Sequence, residues 1–281
     1  MKREFMTSAQ AAEALGVGPT SVKRWADCGL LPCVRTPGGH RRFLRGEVER
    51  FLQREANNGW SLDTGDVNAW VDRLTSGASA FQVQSALFAE RNRRGNWWQV
   101  ADTLSRVMGE LGRRWECGLM AILDEHAATE SLERAIARCC ESISLPPGAP
   151  TCLLAAAQGE DHTLGLSLGE LVLRGAGWQG RWAGRMAPTS EIVSLMASRT
   201  VDLVVVAALG AAVEPADLAG QARTLIEGAR RHGVRLVLAG VGPWPELGSQ
   251  GDGLVWRVEG FEDFDKLLAT LRVDERAPAR R

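Results

Sequence analysis

The spacing of hydrophobic residues changes twice along the chain. Over residues 1–55 the apolar positions are few and punctuated by Gly and Pro. Residues 7–16 predict a short capped helix ending at Gly16, residues 19–27 a second helix with Pro19 near its start, and residues 35–43 a Gly-centred hairpin flanked by cations. The polar run 57–63 reads as a linker. From Val67 to Ser144 the period is helical (Leu87 and Phe88; Val100, Leu104, Val107 and Leu111; Leu132 and Ile136), and Gly77, Gly95-Asn96 and Gly118 divide it into about four helices whose short loops favour antiparallel neighbours. After Pro146-Pro147-Gly148, short apolar runs alternate with helical stretches. Strands are predicted at 151–157, 179–183, 203–208, 235–239 and 253–258, helices at 164–175, 191–199, 215–232 and 261–271, with a frayed charged tail from 274. Continuous apolar runs such as 201–209 suit strands buried on both faces. The predicted fold is therefore multidomain: an α winged helix-turn-helix head over 1–60, a four-helix bundle over 66–146, and an α/β Rossmann-like parallel-sheet domain over 150–274.

Charge sharpens this division. Residues 1–60 hold ten Lys/Arg against six Asp/Glu, and the rest of the chain 23 against 28. A basic head on an acidic body points to nucleic acid at one end and another task at the other. The chain has no run of eighteen apolar residues and residues 1–30 have no secretory pattern, so neither membrane insertion nor export is expected and the cytoplasm is the expected compartment. The six cysteines lack Cys-x-x-Cys spacing and are read as reduced thiols. Adjacent Cys139 and Cys140 would point to different faces of a helix, which argues against thiol-based metal sensing. Ten Trp with no Tyr provide large flat surface suited to cores, interfaces or a planar ligand.

Two helices joined by a tight turn place the second in the major groove, so Thr20, Ser21, Lys23 and Arg24 are the candidate readers, with Val22 and Trp25 packed behind. The hairpin is a wing, and Arg35, His40, Arg41 and Arg42 are its candidate DNA contacts. Over some fifty residues, through "SAQAAEALGVGPTSVKRWADCGLLPCVRTPGGHRRF", the head resembles the winged helix-turn-helix of the MerR family, with Phe43 where many members carry Tyr.

In the third zone, Glu160-Asp161-His162-Thr163-Leu164-Gly165 follows the first strand and opens the first helix, where open α/β sheets bind ligands. An imidazole whose other ring nitrogen meets a carboxylate is a well-oriented transition-metal ligand. The segment resembles the cobalamin-binding Rossmann fingerprint. The resemblance implies Glu160 at the acid, His162 as the cobalt ligand and Gly165 at the glycine, then Ala207 and Leu209 at the later serine and leucine positions, and Gly240 in the late glycine pair. Ala207 replaces the serine that borders the buried nucleotide tail, and Ala239 replaces a glycine. Trp115 and Glu125-His126, with nine residues between Trp and Glu, resemble the signature of the CarH/LitR-type adenosylcobalamin photoreceptors, which share this order of head, bundle and cobalamin domain.

That resemblance implies adenosylcobalamin as cofactor, with Trp115, Glu125 and His126 capping its upper face. It further implies a homotetramer that binds operator DNA in the dark and falls apart when light breaks the cobalt–carbon bond. Such a protein is a transcriptional regulator, expected as a repressor, and not an enzyme. Glu116 departs from the studied members, where a histidine directly after the tryptophan can ligate cobalt after the adenosyl group has left. Two other readings remain open: a light-independent sensor of cobalamin or another tetrapyrrole, and a corrinoid protein passing methyl groups or radicals to a catalytic partner, which the DNA-binding head disfavours.

Overall fold

The computed structural model describes residues 5–15, 18–29, 31–56, 65–209, 213–247 and 253–276. In chain order its elements are β1 (Phe5–Met6), α1 (Ser8–Leu15), α2 (Pro19–Asp27), β2 (Val34–Arg35), β3 (Arg41–Leu44), α3 (Arg45–Ala56), α4 (Gly65–Thr75), α5 (Ala80–Arg94), α6 (Trp97–Glu116), α7 (Ile122–Ser142), β4 (Thr151–Ala156), α8 (Leu164–Gly175), β5 (Gln179–Gly184), α9 (Thr189–Ser198), β6 (Leu203–Ala207), α10 (Pro215–His232), β7 (Arg235–Ala239), β8 (Val255–Val258) and α11 (Phe261–Arg276). The fold is a helical helix-turn-helix head, a helical bundle and a parallel five-stranded sheet with helices. The predicted linker lies outside the described residues. Gly77, Gly95 and Gly118, the three expected breaks in the helical zone, all take positive φ, a conformation that stops a helix at little cost only for glycine.

The chain divides into two compact units, Met1–Ala78 with Arg106–Thr129 and Ser79–Ser105 with Glu130–Arg281. In the first, α1 opens with a capping box: the Gln10 amide donates to Thr7 Oγ1 at 3.2 Å and the Thr7 amide to Gln10 Oε1 at 2.9 Å. Strands β1 and β2 pair antiparallel on either side of β3. Val22, Trp25, Leu31, Phe43, Val48 and Phe51 form the buried centre, which Cys117 and the partly buried Leu119 complete from the end of α6 and the turn after it. The expectation of six free thiols is corrected here, because Cys28 and Cys117 are joined in a disulfide across 89 residues. No local spacing could reveal a pairing that only the packing of α6 against the head creates. The remaining thiols, Cys33, Cys139, Cys140 and Cys152, are free. Burial pushes Cys139 up to about 12 and raises Cys140 and Cys152 as well, which leaves these three inert as nucleophiles.

In the second unit the sheet order is β5-β4-β6-β7-β8, every pair parallel. All of β6 is buried, as the apolar run required. Val204, Val206, Leu236 and Leu238 pack with Ile192, Met196, Leu218 and Leu225 of α9 and α10. Trp97 at the start of α6 lies so close to Gly175 at the end of α8 that a Cβ there would come within 2.4 Å of its ring, which ties this part of the helical zone to the sheet. Several predicted boundaries move, β8 for instance beginning at Val255. Strands β4 and β6 end one residue early, where the chain leaves the sheet for the loops at its carboxyl end; α9 begins at Thr189 behind Pro188; and α11 continues past Leu271 to Arg276.

Candidate functional site

On the head, Thr20, Lys23 and Arg24 of α2 are exposed; Ser21 lies on the same helix, its side chain outside the described residues. Lys23, His40, Arg41 and Arg42 line a common concavity of about 500 Å³ with Pro19 and Thr7. The wing turns at Gly39, φ +78°, where its amide donates to the Thr36 carbonyl at 2.8 Å. Two of the candidate contacts meet one carboxylate. Asp27, the last residue of α2, accepts from the guanidinium of Arg41, whose side chain is 19% exposed, and from that of Arg35 at 3.2 Å. The hydrogen bond from Arg41 leads a set of interactions with the two arginines that hold the Asp27 carboxyl below its ordinary range despite some desolvation. Asp27 therefore fixes the wing to the reading helix, a role the sequence reading missed, although an acid at the end of a cationic helix face was the available signal. Arg24 does not join this cluster; its guanidinium lies over Gly118.

In the second unit, parallel strands put every loop that follows a strand at one end of the sheet. The strand order reverses between β4 and β6, the point beyond whose carboxyl ends open α/β sheets bind ligands. Glu160, after β4, is 1% exposed and spans this point: Oε2 accepts the Leu209 amide beyond β6 at 2.9 Å, and Oε1 meets both the amide of His162 at 2.9 Å and its Nδ1 at 2.7 Å. Burial by itself would raise the pKa of Glu160, but the two amides and the imidazole outweigh it and hold the carboxylate below its usual value. The His162 side chain, 72% exposed, is thus gripped at Nδ1 and open at Nε2. Ala207 ends β6, and the methyl groups of Leu209 close over Gly165, leaving a Cβ there only 3.1 Å of room. Gly240, φ +88°, follows β7 where any Cβ would lie 2.3 Å from the Ala208 carbonyl oxygen, so the loop can descend onto the sheet only as glycine. Exposed Met186 and Val241 add apolar surface to this end. Thr163 Oγ1 donates to Glu133 of α7 at 3.1 Å, a contact from helix to ligand loop that no sequence signal disclosed.

The other candidates stand in the first unit. Trp115, 44% exposed, and exposed Glu116 end α6; Glu125 and His126 lie in the first turn of α7, Glu125 Oε2 3.6 Å from His126 Nε2 and Oε1 accepting from Thr129 at 2.9 Å. Ile122 and Leu123 beside them are exposed.

Comparison with known proteins bears on the head and on the helical zone. Residues 5–56 match the family model of a helix-turn-helix domain, and residues 100–139, which include Trp115, Glu125 and His126, match that of a B12 binding domain. The structure is similar to the monomethylamine corrinoid protein of Methanosarcina barkeri (17% identity, 72% of this chain and 96% of that one, TM-score 0.52). It is also similar to the methanol:cobalamin methyltransferase complex of the same organism (15%, 82% and 93%, TM-score 0.38) and to a cobalamin-binding protein of Desulfitobacterium hafniense DCB-2 (16%, 72% and 96%, TM-score 0.33). No curated protein matches the chain. Fold and family matches together define a DNA-binding helix-turn-helix protein with a cobalamin-binding domain. Among the described residues no helix is long and apolar enough to cross a membrane.

Proposed function

We propose that this chain is a light-responsive transcriptional regulator of the CarH/LitR type, a cytoplasmic repressor and not an enzyme, that uses adenosylcobalamin as its chromophore and binds operator DNA as a homotetramer in the dark. The observation that carries the reading is the buried Glu160 carboxylate at the sheet's switch point. By accepting at Nδ1 of His162 it leaves Nε2 as the free donor, the arrangement a cobalt ligand needs, on a chain whose other end is built for DNA. The residues present suit a corrinoid. Gly240 lets the β7 loop lie low, Met186 and Val241 give apolar surface at the same end, and His162 is exposed. Bound adenosylcobalamin would supply a cobalt–carbon bond that visible light breaks.

The chain's own residues divide the work. His162 would supply the imidazole that holds the cobalt, and Glu160 holds its ring in one tautomer. By the family resemblance, Trp115 would offer an apolar wall to the adenosyl group, with Glu125 and His126 as its polar neighbours. Light is read out by the heads: in a tetramer several engage DNA together, and their separation forfeits the ~10²–10⁴ in avidity that tethering confers.

The test is the absorption spectrum of the purified chain with adenosylcobalamin before and after illumination, with oligomeric size and DNA binding followed in parallel. Spectral change, loss of the tetramer and release of DNA on illumination support the reading. A stable complex that binds DNA equally in light and dark sinks it and leaves the second reading, a light-independent cobalamin sensor. Glu116 favours that alternative, because it offers no imidazole to hold the upper face once the adenosyl group is gone.

A further inference from the structure

The turn between α6 and α7 is built into the DNA-binding head. Cys117, 1% exposed, and partly buried Leu119 pack in the same core as Val22, Trp25 and Leu31. Cys117 is bonded to Cys28, the residue that caps α2, with Cα atoms 6.4 Å apart, inside the range a disulfide spans. One turn earlier on α2, Arg24 lays its guanidinium over Gly118, where a Cβ would meet Nη1 at 2.3 Å. Glycine at φ +67° therefore serves both the turn and the close approach. The bridge and the Arg24 contact lie side by side, and both act on the helix that reads DNA.

We propose that Cys28 and Cys117 form a redox latch on the reading helix. In the bridged state Arg24 is held against Gly118, away from the cations of Lys23 and the wing; in the reduced state α2 is released from the turn and Arg24 joins the DNA contacts. The oxidant is a small-molecule disulfide. Cys28, the more exposed of the pair, attacks it as the thiolate, expels one small thiol and forms a mixed disulfide. Cys117 then loses its proton and attacks the Cys28 sulfur, expelling the second thiol. Two protein thiols are oxidised by two electrons and one small disulfide is reduced to two thiols. Where thiols poise the compartment such a bridge is conditional, the usual signature of a sensor rather than a staple. The latch rests on DNA binding by the head and is independent of the ligand in the body.

The full-length chain, kept dark, is treated with glutathione disulfide or with a phosphine reductant, freed of reagent and titrated against a labelled random-sequence duplex over a series of salt concentrations. A peptide map records the Cys28–Cys117 link. The reduced protein is expected to bind roughly tenfold tighter, with a salt slope steeper by about 0.9, the contribution of one phosphate contact. C117S should bind like reduced wild type after either treatment, and R24A should abolish the difference between the two states. Because Cys117 is buried, C28S serves as the second variant if C117S does not fold. Equal affinity of bridged and reduced wild type overturns the latch alone, as does a map in which Cys33 takes the place of either partner. No binding by either form, with the map confirming the bridge in the oxidised one, overturns the latch and the DNA-binding reading together.

Discussion

Glu160 shows how one side chain organises a site. Buried and acceptor-only, it satisfies two amides and an imidazole from two different strand ends, so loops that the sequence places almost fifty residues apart are held in register. Replacing Glu160 by Ala leaves those donors unpaired and is expected to cost about 2–3 kcal/mol, measurable by chemical denaturation. His162→Ala, which removes only an exposed ring, should leave stability nearly unchanged while abolishing the imidazole-ligated spectrum of added cobalamin and weakening its binding. A parental spectrum in that mutant would remove His162 as the lower ligand. On the head, Arg41 and Arg42 look equivalent in sequence but separate in structure, Arg41 being spent on Asp27. Arg42→Ala should lower DNA affinity across all sequences and flatten the salt slope by about one unit. Asp27→Ala should instead free the wing and lower affinity although a negative charge has been removed, a sign opposite to simple electrostatics, which a titration at fixed salt would read. The pattern of cations was legible in the sequence; which of them is committed to the protein was not, since that depends on where α2 meets the hairpin.

At the scale of elements, periodicity located nearly every helix and strand, because the apolar stripe of α6 and the unbroken run of β6 are properties of consecutive residues. Boundaries depended on more. Strands β4 and β6 stop where Glu160 and Leu209 are drawn together, and α9 starts behind Pro188. Helix α6 also carries a network not visible as a motif. Glu110 accepts from Arg113 at 2.6 Å and Arg114 at 2.9 Å, while Arg114 reaches Asn68 of α4 at 2.9 Å. Desolvation opposes the charge on Glu110, yet the two arginines prevail and its pKa lies below the ordinary 4.5. A carboxylate whose folded pKa is depressed contributes stability that is present in full above its unfolded value and is lost as pH falls through the folded one. Glu110→Gln is therefore expected to lower stability by about 1–3 kcal/mol near neutrality, and the gap to wild type should close below about pH 4.5 in thermal unfolding scans from pH 7 to pH 3.

At the scale of the whole molecule, the proposed signal joins chemistry in the body to occupancy of DNA by the heads, and Glu116 bears on the illuminated state. A carboxylate at that position supplies no imidazole to the metal, so the illuminated protein is expected to exchange added cyanide or imidazole readily and to lose cobalamin quickly. Glu116→His should give a histidine-ligated spectrum and slow the loss, with His126→Ala as the parallel control. Ligand exchange as slow in the parent as in Glu116→His would contradict this account.

By itself the sequence determined the order of head, helical zone and parallel sheet, the basic character of the head, and the residue types grouped around His162, because each is written in neighbouring positions as period, charge or short motif. Only the tertiary structure decided the rest: the Cys28–Cys117 bridge, the contact of Arg24 with Gly118, the capture of Arg41 by Asp27, and the reach of Glu160 to Leu209. These pairings join segments brought together by burial of apolar surface, a non-directional force set by the whole chain, so no local pattern names the partners.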